Sequence, residues 1–342
     1  MIRSLLILVL ALLPLSAEEA PKGWIFNYKE GKVYTFNLDT SAEHISQFMT
    51  ASSGYNGRGK DENHFFFNLL GSFDITITKS SPKGAEGLLK FKDLSLGAGF
   101  RVDEQLETNG SLPSKTNKGT LKMVTEDAPS ADKSSYKVIL GTDGGLTIKD
   151  KIDLSKCVTN MGAIEALHPE LGRRAAFVFT EKFWARYLNC HFIPVSSKLK
   201  IPSGSLLETQ TGGESKKGAD AKLKQNMALE LFLDPCNSLT CAYASGKLDI
   251  GFESLTDKED GSCELLWKFR GAYIEEAAFC RSQVVTEMVK MLSIRSSEGY
   301  LERAPYELQL WNYSGDASKG IDHNFKIISL ISCTNVADAP AK

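Results

Sequence analysis

The residue groups that could carry out chemistry are few, and each lacks something that its chemistry requires. Gly54, Gly59 and Lys60 have the spacing of a phosphate-binding loop, but Asp61 follows where that loop needs Ser or Thr to hold magnesium. Residues 257–261 have the acidic composition of a calcium loop, but a lysine interrupts the alternating oxygen ligands. We therefore interpret 257–261 as a solvated turn and expect neither a nucleotide nor a calcium site.

The histidines form no recognisable catalytic or metal-binding motif. They stand at positions 44, 64, 168, 191 and 323, and no two of them have metal-ligand spacing. Cys190 and His191 are adjacent, and in an extended chain their side chains would point to opposite faces. We therefore predict no catalytic residue, no metal and no cofactor. A secreted hydrolase stays open as an alternative, and it would need His168, His191 or His323 beside a carboxylate and a hydroxyl in a cleft.

Seven cysteines raise the question of disulfides. Three pairs are candidates: Cys236 with Cys241, Cys263 with Cys280, and Cys157 with Cys190. The first pair is preferred, because the short turn 237–240 could bring the two Cα atoms to about 4.4–6.8 Å. An odd count leaves one cysteine over, for which Cys333 is the candidate. The alternative is that several cysteines are reduced and buried.

The N-terminus predicts export. Residues 1–4 carry one positive charge, residues 5–15 form an apolar run, and the small Ser16 and Ala17 precede a polar stretch. The run has about eleven residues, whereas a transmembrane helix needs roughly 20. We expect a signal peptide, 1–17, cleaved near Ala17, and a secreted or periplasmic protein without a transmembrane anchor; an uncleaved anchor is the alternative. Cleavage changes the formal net charge only from −2 to −3, which gives no electrostatic reason to bind nucleic acid.

Alternating apolar and polar residues predict strands over most of the chain. The pattern is clearest in 73–78 and 88–96, and a hairpin is predicted over 136–152 around Asp143-Gly144-Gly145. Residues 161–188 favour helix, with one broad apolar face. The polar stretches 41–64, 103–120 and 209–224 are predicted to be loops. The predicted fold class is mainly β (α+β): two antiparallel curved-sheet or half-barrel domains with a helical segment around 161–188.

An internal repeat sets the predicted domain boundaries. The strand–turn–strand pattern of 73–97 returns in 228–251. Chance similarity between hairpins of a β-rich chain is the alternative explanation. We divide the chain into a signal peptide (1–17), a first β-domain (18–155), a helical connector (156–195) and a second β-domain (196–342).

The entry strand 29–36, the hairpin 73–96 and the second entry near 201–204 carry a resemblance. The layout resembles uncharacterised exported bacterial proteins with duplicated β-domains, a group that implies no known catalytic residues. The tryptophan usual after the second glycine is missing; Leu206 and Leu207 stand near it. A looser likeness is to the N-terminal β-domain of vitellogenin-type lipid carriers.

These features predict an exported non-catalytic β-protein. Aromatic strands at 65–67, Phe73 and Phe91 suggest that a lipid or other apolar ligand could lie in the concave face, unless these rings pack on the helix or on each other. The alternatives are a structural or adhesion-type protein of the cell envelope that meets protein partners through its loops, and the hydrolase. Asn109 and Asn312 match the N-glycosylation pattern, which matters only in a eukaryotic source.

Overall fold

A computed structural model describes most of the chain. The described residues are 26–51, 58–106, 115–129, 135–154, 161–192, 250–259, 262–277, 280–295, 298–314 and 322–340. The predicted signal peptide, the loop 209–224, residues 228–249 of the second copy of the repeat, Asn109, Cys157, Cys236 and Cys241 lie outside these ranges.

The described residues form one large antiparallel sheet of twelve strands, which curls into a half-barrel. The strands are β1 (Lys32–Ala51), β2 (Arg58–Ser81), β3 (Gly84–Leu106), β4 (Lys115–Asn117), β5 (Lys122–Pro129), β6 (Tyr136–Gly141), β7 (Leu146–Ile148), β8 (Ile250–Asp257), β9 (Ser262–Ala277), β10 (Cys280–Arg295), β11 (Tyr300–Ser314) and β12 (Asp322–Asp338). Their order across the sheet is β7-β6-β3-β2-β1-β12-β11-β10-β9-β8, and β4 and β5 both pair with β3. The prediction of a mainly β, curved antiparallel fold is confirmed.

The sheet is continuous between the N-terminal and C-terminal strands. β1 pairs with β12 from Lys32 opposite Asp338 to Gln47 opposite Asp322. The strands assigned to the two predicted β-domains are therefore neighbours in a single sheet. The boundary between the two domains stays a prediction.

The alternation of side chains explains why these segments are strands. In β2 the side chains of Phe73, Ile75 and Ile77 are buried, whereas those between them are partly exposed. The hairpin of β6 and β7 turns at Gly144, whose φ of +87° favours glycine. A Cβ atom there would also lie 2.3 Å from the ring of Phe26.

The prediction of loops at 41–64 and 103–120 is wrong for much of both stretches. Residues 41–51 and 58–64 continue β1 and β2, while residues 103–106 and 115–117 belong to β3 and β4. Their polarity misled the prediction because here the sheet buries polar side chains. Ala42, His44 and Ser46 alternate along β1 and are all buried.

Three helices follow β7, as predicted for this region: α1 (Met161–Leu167), α2 (Pro169–Val178) and α3 (Glu181–His191). His168 caps α2 by accepting a hydrogen bond from the Glu170 amide, and Thr180 caps α3 by accepting one from the Phe183 amide. The face of the sheet that these helices cover is called the inner face below, and the opposite one the outer face.

The main core lies between the helices and the inner face. Trp184 of α3 is fully buried, with its ring centroid 4.5 Å from that of Phe91 on β3. Phe192, at the end of α3, meets Phe36 of β1 at 5.4 Å. These aromatic contacts fix the helices to the strands that carry both polar clusters described next.

Candidate functional site

Two clusters of polar side chains lie on opposite faces of the sheet, and β1 contributes to both. The first is the inner network, made of Thr40, Tyr187, His191 and Ser329, where α3 meets β1 and β12. The second is the outer cluster, made of Glu43, Glu62, His64, Arg101 and Asp103 on β1, β2 and β3. Each contains a buried histidine, and the two histidines differ in how their nitrogens are used.

The inner network is a chain of hydrogen bonds in which each proton has an acceptor. His191 Nδ1 lies 2.8 Å from the carbonyl oxygen of Ala304, so this nitrogen donates. His191 Nε2 then accepts from the hydroxyl of Ser329, 2.9 Å away. Thr40 Oγ1 lies 2.5 Å from Ser329 Oγ and 2.7 Å from the Tyr187 hydroxyl. Tyr187 can thus donate to Thr40, and Thr40 to Ser329, which ties α3 to β1, β11 and β12.

The pairing of Ser329 with His191 is the hydroxyl–imidazole contact that nucleophilic catalysis uses. Here, however, His191 is 0% exposed and Ser329 is 1% exposed, so the pair does not face a cleft. The second nitrogen of His191 meets a backbone carbonyl where the hydrolase hypothesis required a carboxylate. We therefore interpret the inner network as structural: its hydrogen bonds join α3 to the strands and satisfy polar groups that are buried.

A buried arginine of α2 joins that helix to the inner face further along β1. Arg174 of α2 donates through Nε to Glu170, at 2.8 Å, and through Nη1 to His44 Nδ1, at 2.7 Å. Its guanidinium also lies 4.8 Å from the centre of the Phe65 ring. His168 packs against Phe65 as well, and burial lowers the pKa of its imidazole. The neutral form that results is the one that can cap α2.

Strand alternation and register together build the outer cluster. Phe65 on β2 and Phe100 on β3 both contact His168 on the inner face, so His64 and Arg101, which are directly opposite each other, face outward. Glu62 and Asp103 are the next outward pair along the same two strands.

The charges of the outer cluster are held at short range. Asp103 Oδ1 lies 2.9 Å from Arg101 Nε and also accepts a hydrogen bond from the Gly119 amide, at 2.9 Å. Burial favours the neutral form of the Asp103 carboxyl, but Gly119, Arg101 and His64 outweigh it and hold the pKa below its ordinary value. Gly119 reaches this position because it lacks a side chain: a Cβ atom would lie 2.0 Å from the Val102 carbonyl oxygen.

His64 has a nitrogen without a hydrogen bond, as does Arg101, whose Nε atom is also buried without one. The side chain of His64 is 6% exposed, and its Nε2 atom makes no hydrogen bond. Yet Nε2 lies 3.2 Å from Asp103 Oδ2 and 3.4 Å from Glu62 Oε2. At these distances a hydrogen bond would form if either oxygen lay along the direction in which the Nε2 proton or lone pair points. Both oxygens therefore lie to the side of that direction.

One of the three predicted disulfides can be compared with the structure, and it is wrong. Cys263 lies opposite Ile294 at the start of β9, whereas Cys280 lies opposite Ala277 at the far end of the same hairpin. Fourteen residues of strand separate these positions, roughly 46 Å. Neither Cys263 nor Cys333 is in a disulfide. Cys190 lies in α3 and Cys280 in β10, with their side chains outside the described part, so the pair of Cys157 and Cys190 stays a prediction.

The sequence analysis predicted no metal site, and it missed the outer cluster. Glu62 and His64 stand two residues apart, which places them on one face once β2 is known to be a strand. Asp103 is far away in sequence and joins them only through the register of β2 and β3. Among the other histidines, His323 lies in β12 with its side chain outside the described part, and the glycosylation candidate Asn312 lies in β11.

Comparison with known protein families and with curated proteins gives no match. Within the described ranges, none of the helices has the length and apolarity that crossing a bilayer requires. The fold and the two clusters therefore have to be interpreted from their own geometry.

Proposed function

We propose that the protein is an exported, non-catalytic structural or interaction protein. The observation that carries this proposal is the filling of the inner face by the protein's own helices. Phe65, Phe73 and Phe91, which made a bound lipid attractive, are all buried. Phe91 contacts Trp184, and Phe65 contacts Arg174 and His168. A sheet whose apolar face is already covered does not need a ligand to cover it.

The chemistry of the buried groups also favours a non-catalytic role. The hydroxyl–imidazole pair of Ser329 and His191 is buried, and neither side chain is open to solvent. The same residues instead link a helix to three strands. A binding surface that serves other molecules would then lie on the outer face, which carries the second cluster.

Lipid carriage is the second hypothesis, and the covered inner face limits where its site could lie. The described helical contacts cover the inner face from β3 through β1 to β11. A bound lipid would therefore have to lie outside this covered part of the inner face.

Native mass spectrometry distinguishes these hypotheses. The full chain is expressed with its own N-terminus, purified from the exported fraction, weighed under native conditions and then extracted with organic solvent. We expect the mass of the polypeptide alone and no lipid in the extract. A reproducible extra mass that extracts as lipid would overturn the structural proposal in favour of carriage. Retention of the chain inside the cell would contradict export.

A further inference from the structure

We propose that Glu62, His64 and Asp103 form a binding site for one divalent transition-metal ion on the outer face of the sheet. The site takes an imidazole nitrogen and two carboxylate oxygens, a donor set that suits Zn²⁺ and related ions. The proposal is independent of the proposed function, since a structural protein and a lipid carrier could both hold such an ion.

The distances fit neighbouring ligands of one ion. One candidate donor atom from each of the three residues lies within 4.8 Å of the other two. His64 Nε2 is 3.4 Å from Glu62 Oε2 and 3.2 Å from Asp103 Oδ2. Donors about 2.1 Å from a common metal are separated by about 3.0–3.4 Å in octahedral or tetrahedral arrangements. Both oxygens flank the Nε2 axis, as ligands around a shared ion do, and this explains why they form no hydrogen bond with it.

The second ring nitrogen of His64, Nδ1, has a carboxylate partner that would not itself bind the ion. Glu43 Oε1 lies 3.4 Å from His64 Nδ1, so a proton on Nδ1 can be shared with this carboxylate. That tautomer leaves the Nε2 lone pair directed between Glu62 and Asp103. A carboxylate behind a ligating histidine is the usual way in which proteins orient a metal-binding imidazole.

Arg101 sets the charge of the site and does not block it. Its Nε atom lies near Asp103 Oδ1, which leaves Oδ2 facing His64. Its Nη2 atom lies 3.3 Å from His64 Nδ1, a contact that suits the tautomer with a proton on Nε2. Metal binding would therefore select the arrangement with Glu43. With a neutral imidazole, the three carboxylates and Arg101 sum to a charge of −2, which a divalent cation neutralises.

The site is largely enclosed. The side chain of Asp103 is 4% exposed, that of Glu62 is 11% exposed, and that of Glu43 is 39% exposed. Glu43, the most exposed of the three, lies at the Nδ1 atom of the ring, and the two less exposed carboxylates lie at Nε2. Arg101 already pairs with Asp103, and a bound cation would balance the remaining negative charge of the cluster.

Isothermal titration calorimetry of the full, tag-free chain with Zn²⁺ tests the proposal. We expect one saturable ion that depends on the cluster. Glu43→Gln should weaken binding about 10–100-fold, as loss of an outer partner does, and His64→Ala should weaken it more. Glu86→Gln is the matched control, because it removes one carboxylate from an exposed position on β3, and it should leave the affinity unchanged.

Co²⁺ provides a second readout that excludes the cysteines. Cobalt at this site should give a visible ligand-field absorption without the sulfur-to-cobalt charge-transfer band of a thiolate site, and His64→Ala should abolish it. If His64→Ala does not fold, as judged by circular dichroism, Asp103→Asn replaces it in both measurements. Absence of saturable Zn²⁺ binding, or equal binding by the wild type and the cluster variants, would overturn the proposal.

Discussion

His191 and His64 lie on opposite faces of one sheet, both almost completely buried, and their surroundings differ. His191 uses both nitrogens: one donates to the Ala304 carbonyl, and the other accepts from Ser329. His64 has one nitrogen that makes no hydrogen bond, although two carboxylates lie beside it. A fully hydrogen-bonded histidine is one that packing alone explains, whereas the Nε2 atom of His64, flanked by two carboxylates, leaves a lone pair that a ligand could use. The contrast concerns the two histidines: His191 serves the packing of the inner face, and His64 is the candidate for binding.

The largest expected effect concerns the aromatic contact that holds α3 on the inner face. Trp184→Ala should lower the free energy of unfolding by about 3–5 kcal/mol, because it leaves a cavity beside Phe91. Leu121→Ala is the control on an exposed side chain, and its effect should stay within about 0.5 kcal/mol. Urea unfolding followed by circular dichroism measures both. Similar losses for the two variants would show that the inner face is not the stabilising one.

The two histidines themselves give the next largest contrast. His191→Gln should cost about 1–3 kcal/mol, because a glutamine amide can take the position of Nε2 but does not also place a donor at the position of Nδ1, which leaves the Ala304 carbonyl without its partner. His64→Gln in chelator-treated buffer should cost less, since Nε2 has no hydrogen bond to lose. Chemical denaturation of the two variants side by side is the measurement. An equal or larger loss for His64→Gln would place His64 in the packing role.

A smaller effect is expected at mildly acidic pH, from the inner face. Burial lowers the pKa of His168 below its ordinary 6.5, so the unfolded chain binds a proton there before the folded one does. Stability from this residue is present above pH 6.5 and is lost as pH falls through the folded-state pKa. His168→Asn keeps a capping side chain and should flatten that part of the profile. Thermal unfolding between pH 5 and pH 7.5 tests this, and identical profiles for both proteins would exclude His168 as the source.

The smallest effect is expected at Cys333, on the alkaline side. Burial raises the pKa of its thiol to about 12, from an ordinary value of 9.0. The folded protein therefore keeps this proton while the unfolded chain loses it, so the contribution to stability is present below pH 9 and is lost as pH rises toward 12. Alkylation of the native protein at pH 8 should modify Cys333 far more slowly than in urea, as read by peptide mass spectrometry. Equal rates would mean that the thiol is not protected.

The parts of the fold that could be predicted are those with simple periodicity. Phe73–Thr78 and 88–96 alternate and form β2 and β3, while 161–188 carries a helical pattern and forms helices. Residues 41–51 and 58–64 could not be recognised as strand, because His44 and Ser46 are polar and yet buried, and the buried Arg174 that meets His44 comes from a helix far along the chain. The outer cluster was beyond prediction for a related reason: Asp103 meets His64 only through the register of two long strands. Local pattern specifies elements, whereas sites made between elements depend on their pairing.

The pairing of β1 with β12 has a consequence for how the protein reaches its folded state. β1 has β2 as one neighbour from early in synthesis, but its other neighbour is separated from it by the helices and by all the remaining strands. Until β12 arrives, one long edge of β1 presents unpaired amide and carbonyl groups that can pair with another chain. Contacts between positions so distant in sequence also slow folding. We therefore expect slow refolding and aggregation that rises with concentration, and conditions that keep nascent chains apart should improve the yield.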